Sequence, residues 1–267
     1  MSASMTIRAD VELANATDAG CQRTVNEDYY LFVEPQDDAD FARRGRLVLV
    51  ADGVGGHKGG RIASRLAAHT IRDVFLSSQE QDPRDVLIEG YLQAHRAIQD
   101  QAAASPELEG MATTCTSAIL KDGRLTAGHI GDSRFYLIRD GHARQLSRDH
   151  TVVNDLLLEG AITPAQALTH EKLHVLSTAL GLGQTLGADF LEEPLALHPQ
   201  DILLFCSDGL HGLVSDDELA SVIVSQPLTE ACAELIAWAK ARGGPDNITL
   251  QLIRIMSVGP FPVNGGL

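Results

Sequence analysis

The chain has 267 residues, 44% of them apolar, enough for a sizeable core in one large domain. Its 36 acidic and 21 basic side chains give a formal net charge of −15. That balance repels nucleic acid and anionic membrane surfaces, and both are excluded as expected partners.

No fixed-period repeat, low-complexity tract or linker interrupts the sequence, so 1–267 reads as a single domain. A turn carrying Arg23, Asn26, Glu27 and Asp28 precedes the strand YYLFV, and RLVLVA at 46–51 is a short apolar run typical of a buried strand. Ile62, Leu66, Ile71 and Phe75 then recur at helical spacing. Leu87, Tyr91, Ala94 and Ile98 do the same on a second helix, with Asp82-Pro83 as the break between them. From residue 113 the period shortens. TTCTSAIL and RLTAGHI read as a hairpin turning at Asp122-Gly123, and RFYLI and HARQL as another turning at Asp140-Gly141. Short helical patterns surround Thr163-Pro164, followed by a buried strand from Ile202 to Cys206, two helical segments and a last strand, ITLQLIRI, from Ile248. The tail at 257–267 reads as irregular. Grouped strands outnumbering helices predict an α+β fold of antiparallel sheets with helices packed outside.

The start of the chain has neither the basic nor the apolar region of a signal peptide, and no apolar run approaches the ~20 residues that span a bilayer. Cys21, Cys115, Cys206 and Cys232 are scattered, which suits reduced thiols in a cytoplasmic protein.

Two buried strands stop at Asp-Gly, LVLVADG at Asp52 and ILLFCSDG at Asp208. Alone, strand-Asp-Gly is a turn pattern. Here each is followed by a helical segment instead of a partner strand, so neither is a hairpin. Asp132 in GHIGDSR and Asp246 in GGPDN also stand at strand ends; a tight turn or an Asx cap would account for either alone. Strand ends of one sheet system cluster on one rim, and crowded carboxylates ionise together only around a cation. Oxygen ligands without Cys or His favour Mg²⁺ or Mn²⁺, and two such ions about 4 Å apart can activate a water and clamp a phosphoryl group. Glu27 and Asp28 read either as solvated loop charges or as part of this cluster, whereas Arg23 carries the planar fork that binds phosphate oxygens.

Taken in order, RTVNED, ADGVGGHKGGRIAS, MATT, GHIGDSR, LSRDHT, LLFCSDGL and GGPDNIT resemble the metal-dependent serine/threonine protein phosphatases of type 2C, bacterial branch. The resemblance spans about residues 12 to 254. It implies a four-layer α-β-β-α sandwich, two antiparallel sheets face to face with helix pairs outside, and a binuclear Mn²⁺ or Mg²⁺ centre at one end. By position it implies that Asp52 bridges both ions and that Asp208 and Asp246 complete the first. The Gly53 carbonyl would bind the second ion, with Glu27 and Asp28 holding its waters, and Asp132 with Asp208 would form a third, weaker site. Arg23 would hold the substrate phosphate while a hydroxide bridging the metals attacks phosphorus. The stretch from about 148 to 182 resembles the flap beside the active site. Expected partners are phosphoprotein substrates, including a cognate serine/threonine kinase and its targets, with the enzyme a monomer.

The sequence also departs from the family. Val54 stands where many relatives outside bacteria carry a proton-donating histidine, which leaves His57 as a possible general acid or as a histidine bonded to backbone in a glycine-rich turn. Arg61 replaces the usual acid after Gly60, and HEKLH at 170–174 and Thr178 break the usual flap pattern. GVGGHKGG lacks the Gly-Lys-Ser/Thr ending of a nucleotide loop, and no G-x-S-x-G elbow is present. The main rival reading is a phosphatase fold serving as a regulatory or binding module with little or no catalysis.

Overall fold

The computed structural model describes residues 7–54 and 58–259. The chain begins with β1 (Val11–Asp18), β2 (Tyr29–Val33), α1 (Asp38–Arg44), β3 (Arg46–Ala51) and the short β4 (Gly53–Val54). Two long helices, α2 (Lys58–Ser77) and α3 (Pro83–Ala104), lead to β5 (Ala112–Thr113), β6 (Cys115–Lys121), β7 (Arg124–Ile130), β8 (Arg134–Arg139) and β9 (His142–Gln145). The next stretch holds α4 (Val152–Leu158), α5 (Pro164–Ala167), β10 (Asp189–Phe190) and β11 (Leu195–Ala196). The chain closes with β12 (Ile202–Cys206), α6 (Asp208–His211), α7 (Asp216–Ser225), α8 (Leu228–Ala241) and β13 (Ile248–Ile255).

One antiparallel sheet runs β1-β13-β12-β8-β9 and the other β10-β7-β6-β3-β2, with β11 also paired to β7. Strand periodicity explains the layers. In β3, Leu47, Leu49 and Ala51 face a core shared with Ile71, Phe75, Leu87, Tyr91 and Ile98 of α2 and α3. The intervening Val48 and Val50 face Leu137, Leu203, Phe205 and Ile253 of the other sheet. Strand β12 repeats the device, its Ile202, Leu204 and Cys206 packing on Leu219, Ile223 and Leu235 of α7 and α8. Burial on both faces is why these strands read as unbroken apolar runs. The result is the predicted α-β-β-α sandwich. Gln251 spans its middle, donating to the Leu49 carbonyl of the opposite sheet at 2.7 Å.

Local chemistry sets the joints. Asp82 caps α3, accepting from the Arg84 amide at 2.8 Å, and Pro83 takes the first turn. The Asp122-Gly123 and Asp140-Gly141 turns have positive φ at both central residues, which matches the twist of the strands they join. Strand β1 was not foreseen. It is an edge strand with only Val11 and Ala14 buried, too sparse an apolar face to show as alternation. Of the tail read as irregular, 257–259 belong to no element and 260–267 lie outside the described residues. Among the described residues no helix is long and apolar enough to cross a membrane.

Candidate metal centre

Strand β3 delivers Asp52 to one rim of the sandwich, where its backbone is held on both sides. Its amide donates to Thr114 Oγ1 at 3.0 Å, and its carbonyl accepts from the Thr114 amide at 2.9 Å and Thr113 Oγ1 at 2.8 Å. Gly53 must be glycine, because a Cβ there would stand 2.3 Å from the Gly60 carbonyl and 2.8 Å from that of Glu27. The start of α2 and the Glu27 loop therefore close directly on the strand end. Ser64 of α2 donates to the Glu27 carbonyl at 2.6 Å. From the far end of the chain, Asn247 accepts from the Glu27 amide at 2.8 Å and donates to the carbonyls of Ala19 and Val25 at 3.1 and 3.0 Å.

Strand β12 delivers Asp208 the same way. Ser207 Oγ donates to Asp28 Oδ2 at 2.7 Å and accepts from the Thr249 amide at 3.0 Å, which ties the N-terminal loop to the last strand. Asp132 sits between β7 and β8. Its carbonyl can only accept, so the 2.8 Å contact with His211 fixes Nε2 as the donor. Burial drives the His211 pKa down to about 4, which keeps the ring neutral in this role.

The four strand-end aspartates meet in a cleft of about 250 Å³, whose wall also holds Arg23, Glu27 and Gly53. Its electrostatics are unfavourable without a cation. Burial first, then the charges of Asp28 and Asp208, push Asp52 well above the usual carboxylate range. Burial lifts Asp28 to about 6 and, with the Asp208 charge, Asp132 to about 8. Asp208 is also raised, by burial and then by Asp246. Asp52 therefore stands close enough to Asp28 and Asp208 for their charges to act on it. One oxygen each of Asp28 and Asp208 is buried with no hydrogen-bond partner. Orphaned anionic oxygens in a hard-oxygen donor set are what Mg²⁺ or Mn²⁺ would satisfy, and the residues present fit such ions.

Among the described residues no three His, Cys, Asp or Glu side chains close into a ready-made ligand set. Asp246 shows one reason. Its Oδ2 is held by Arg23 Nη2 at 2.7 Å and its Oδ1 by the Asn247 amide at 2.8 Å. Carboxylates this close also repel until a cation draws them together, which keeps the set open in the metal-free cleft.

Every expected site residue within the described part is therefore in or against the cleft. His57 lies outside the described residues. Arg61 is exposed in the first turn of α2. Sequence reasoning missed the flap residues His174 and Leu176, which also line the cleft. It missed Ser207, His211 and Asn247 as positioning residues. Asn247 and Ser207 adjoin singled-out aspartates and could have been found; nothing local marks His174.

The flap is pinned at both roots. The His150 amide donates to the Gly131 carbonyl at 2.8 Å and the Ser177 amide to the His150 carbonyl at 3.0 Å. The Leu180 amide donates to the Thr113 carbonyl at 2.9 Å.

The family model for Protein phosphatase 2C matches residues 23–250. Protein phosphatase PhpP of Streptococcus pneumoniae (serotype 2, strain D39) is 32% identical over 247 residues, covering 91% of this chain and 97% of that protein. The solved serine/threonine phosphatase PstP/Ppp of Mycobacterium tuberculosis superposes with a TM-score of 0.81 at 32% identity, covering 92% of this chain and 99% of the other. A structure of the PstP catalytic domain in complex with two manganese ions gives 0.78, with the same identity and coverage.

Proposed function

This chain belongs to the protein phosphatase 2C family and is a metal-dependent serine/threonine phosphoprotein phosphatase, and we propose that its strand-end aspartates form the hydrolytic centre. The observation that carries this assignment is the meeting of Asp52, Asp132, Asp208 and Asp246 with Arg23 in one cleft. Asp52 would serve both ions, with Asp208 and Asp246 on the first, a reading supported by their sharing one cleft. Gly53 would offer its carbonyl to the second ion, Glu27 and Asp28 would accept hydrogen bonds from its waters, and Asp132 with Asp208 would take a third. Bound there, Mn²⁺ or Mg²⁺ would activate water and neutralise charge on the phosphoryl oxygens.

The chain's own residues supply position and charge. Arg23 has a half-exposed side chain and a pKa raised first by its hydrogen bond to Asp246, so it stays cationic and can grip the phosphoryl group. Buried Asp28 is aimed by Ser207, and Glu27 by Asn247 and Ser64 through its backbone. The reading extends to a serine/threonine kinase and its targets as substrates, and to a monomer acting in the cytoplasm, where free thiols such as Cys115 and Cys206 stay reduced.

The test is phosphate release from a phosphothreonine peptide with and without Mn²⁺, in the natural protein and in Asp208→Ala. Metal-dependent release that collapses in the variant supports the assignment. No release from folded, Mn²⁺-loaded protein would instead favour the regulatory-module reading.

A further inference from the structure

Hydrolysis of a seryl or threonyl phosphate leaves a chemical demand that the carboxylates do not meet. The departing alkoxide is about as basic as hydroxide, the anion of a water whose pKa is about 15.7, so it leaves readily only as it gains a proton. Val54, where a donor could stand, is apolar. Among the described residues, the polar side chains on the cleft wall beyond the carboxylates assigned to cations are Arg23 and His174. Arg23, its pKa raised first by the hydrogen bond to Asp246, keeps its proton.

We propose that His174 is a catalytic residue of this phosphatase, donating the proton to the leaving serine or threonine oxygen from the flap side of the cleft. The inference rests on the hydrolytic assignment above. His174 is exposed, lines the same cleft as Asp208 and makes no hydrogen bond with the described residues. Three other described histidines are otherwise occupied. His211 is spent on the Asp132 carbonyl, His129 on Thr116 and the Gly131 carbonyl, and His150 on Asp189. His174 is held close to its anchors. The carbonyl of the next residue, Val175, accepts from the Val152 amide at 2.9 Å, and Leu176 bridges to Thr151.

The step balances simply. The water oxygen bonds to phosphorus as the P–Oγ bond breaks, and that bond's electron pair goes to Oγ. The imidazolium N–H of His174 supplies the proton there, so the protein substrate leaves as a neutral hydroxyl. The proton shed by the attacking water restores the imidazolium through solvent.

The test compares two leaving groups in the Mn²⁺-loaded full chain. A phosphothreonine peptide needs the proton, whereas p-nitrophenyl phosphate releases a stabilised phenolate that does not. His174→Ala is expected to lower kcat on the peptide about a hundredfold. It should leave kcat on p-nitrophenyl phosphate within about twofold, because that leaving group departs as a stabilised anion without a donated proton. Added imidazole should restore part of the peptide rate, His174→Gln should not, and Mn²⁺ binding by calorimetry should match the natural protein. Equal losses on both substrates, a change in KM alone, weakened Mn²⁺ binding, or no loss at all would overturn the proposal. So would the same leaving-group-selective loss in His57→Ala with His174→Ala unaffected. Failure of the underlying assignment looks different, since the natural protein would then hydrolyse neither substrate.

Discussion

Arg23 and Asp246, 223 residues apart, are joined side chain to side chain at 2.7 Å, linking the expected phosphate ligand to an expected metal ligand. Loading an ion onto Asp246 therefore competes with Arg23, and release of Arg23 frees its guanidinium for substrate. Both side chains are substantially exposed, at 45% and 33%, so the pair is worth no more than about 1 kcal/mol. Arg23→Ala should tighten Mn²⁺ binding by up to about fivefold while raising KM for a phosphopeptide at least about tenfold. Calorimetry and steady-state kinetics check the two halves, and a variant that binds Mn²⁺ more weakly would refute the competition.

Asp52 is half-buried among like charges, an arrangement suited to binding cations and poor for the metal-free fold. Asp52→Asn removes one of those charges. Its metal-free form should melt about 2 to 8 °C higher than the natural protein, as relief of about 1 to 2 kcal/mol implies for a domain of this size. It should lose the rise in Tm that Mn²⁺ brings and at least about a hundredfold in activity. A metal-free Tm below that of the natural protein would count against this reading.

The same crowding sets a pH dependence. Asp28 titrates at about 6 and Asp132 at about 8 in the fold, and Asp52 is raised well above its ordinary value. Unfolded aspartate titrates near pH ~3.9, so between these values the folded, metal-free protein holds protons that the unfolded chain has released. That stability is full below about pH 4 and is lost as pH rises through 6 and 8. In chelator, Tm should fall by several degrees between about pH 5.5 and 8.5, and saturating Mn²⁺ should flatten the slope. A Tm in chelator that climbs with pH would contradict the assignment.

Asn247 holds the Glu27 amide and two carbonyls of the loop before it. Asn247→Ala orphans three backbone groups, at a cost of about 3 kcal/mol, or roughly 6 to 12 °C in Tm. Because Glu27 and Arg23 ride on that loop, KM and Mn²⁺ affinity should both worsen in the residual folded protein. A loss of stability with unchanged kinetics would show that the loop keeps its place without Asn247.

Much of the fold was legible because its signals are local. Apolar runs in β3 and β12, helical spacing in α2 and α3, and Asp-Gly turns in two hairpins each follow from neighbouring residues and backbone preference. Weakly patterned pieces stayed hidden. Strand β1 buries two of its eight residues, and β10 and β11 are too short to carry a period.

By itself the sequence determined the strand-end aspartates, since a carboxylate ending a buried strand that leads into a helix is visible from a dozen residues. It also carried, through motif order, the resemblance to metal-dependent phosphatases. Only the tertiary structure decided which groups meet. The Arg23–Asp246 pair, the tie from Ser207 to Asp28 and the arrival of His174 in the cleft of Asp208 join residues far apart in the chain. Their separations are set by how two sheets stack and where the flap is pinned, and no local preference encodes a distance across that interface.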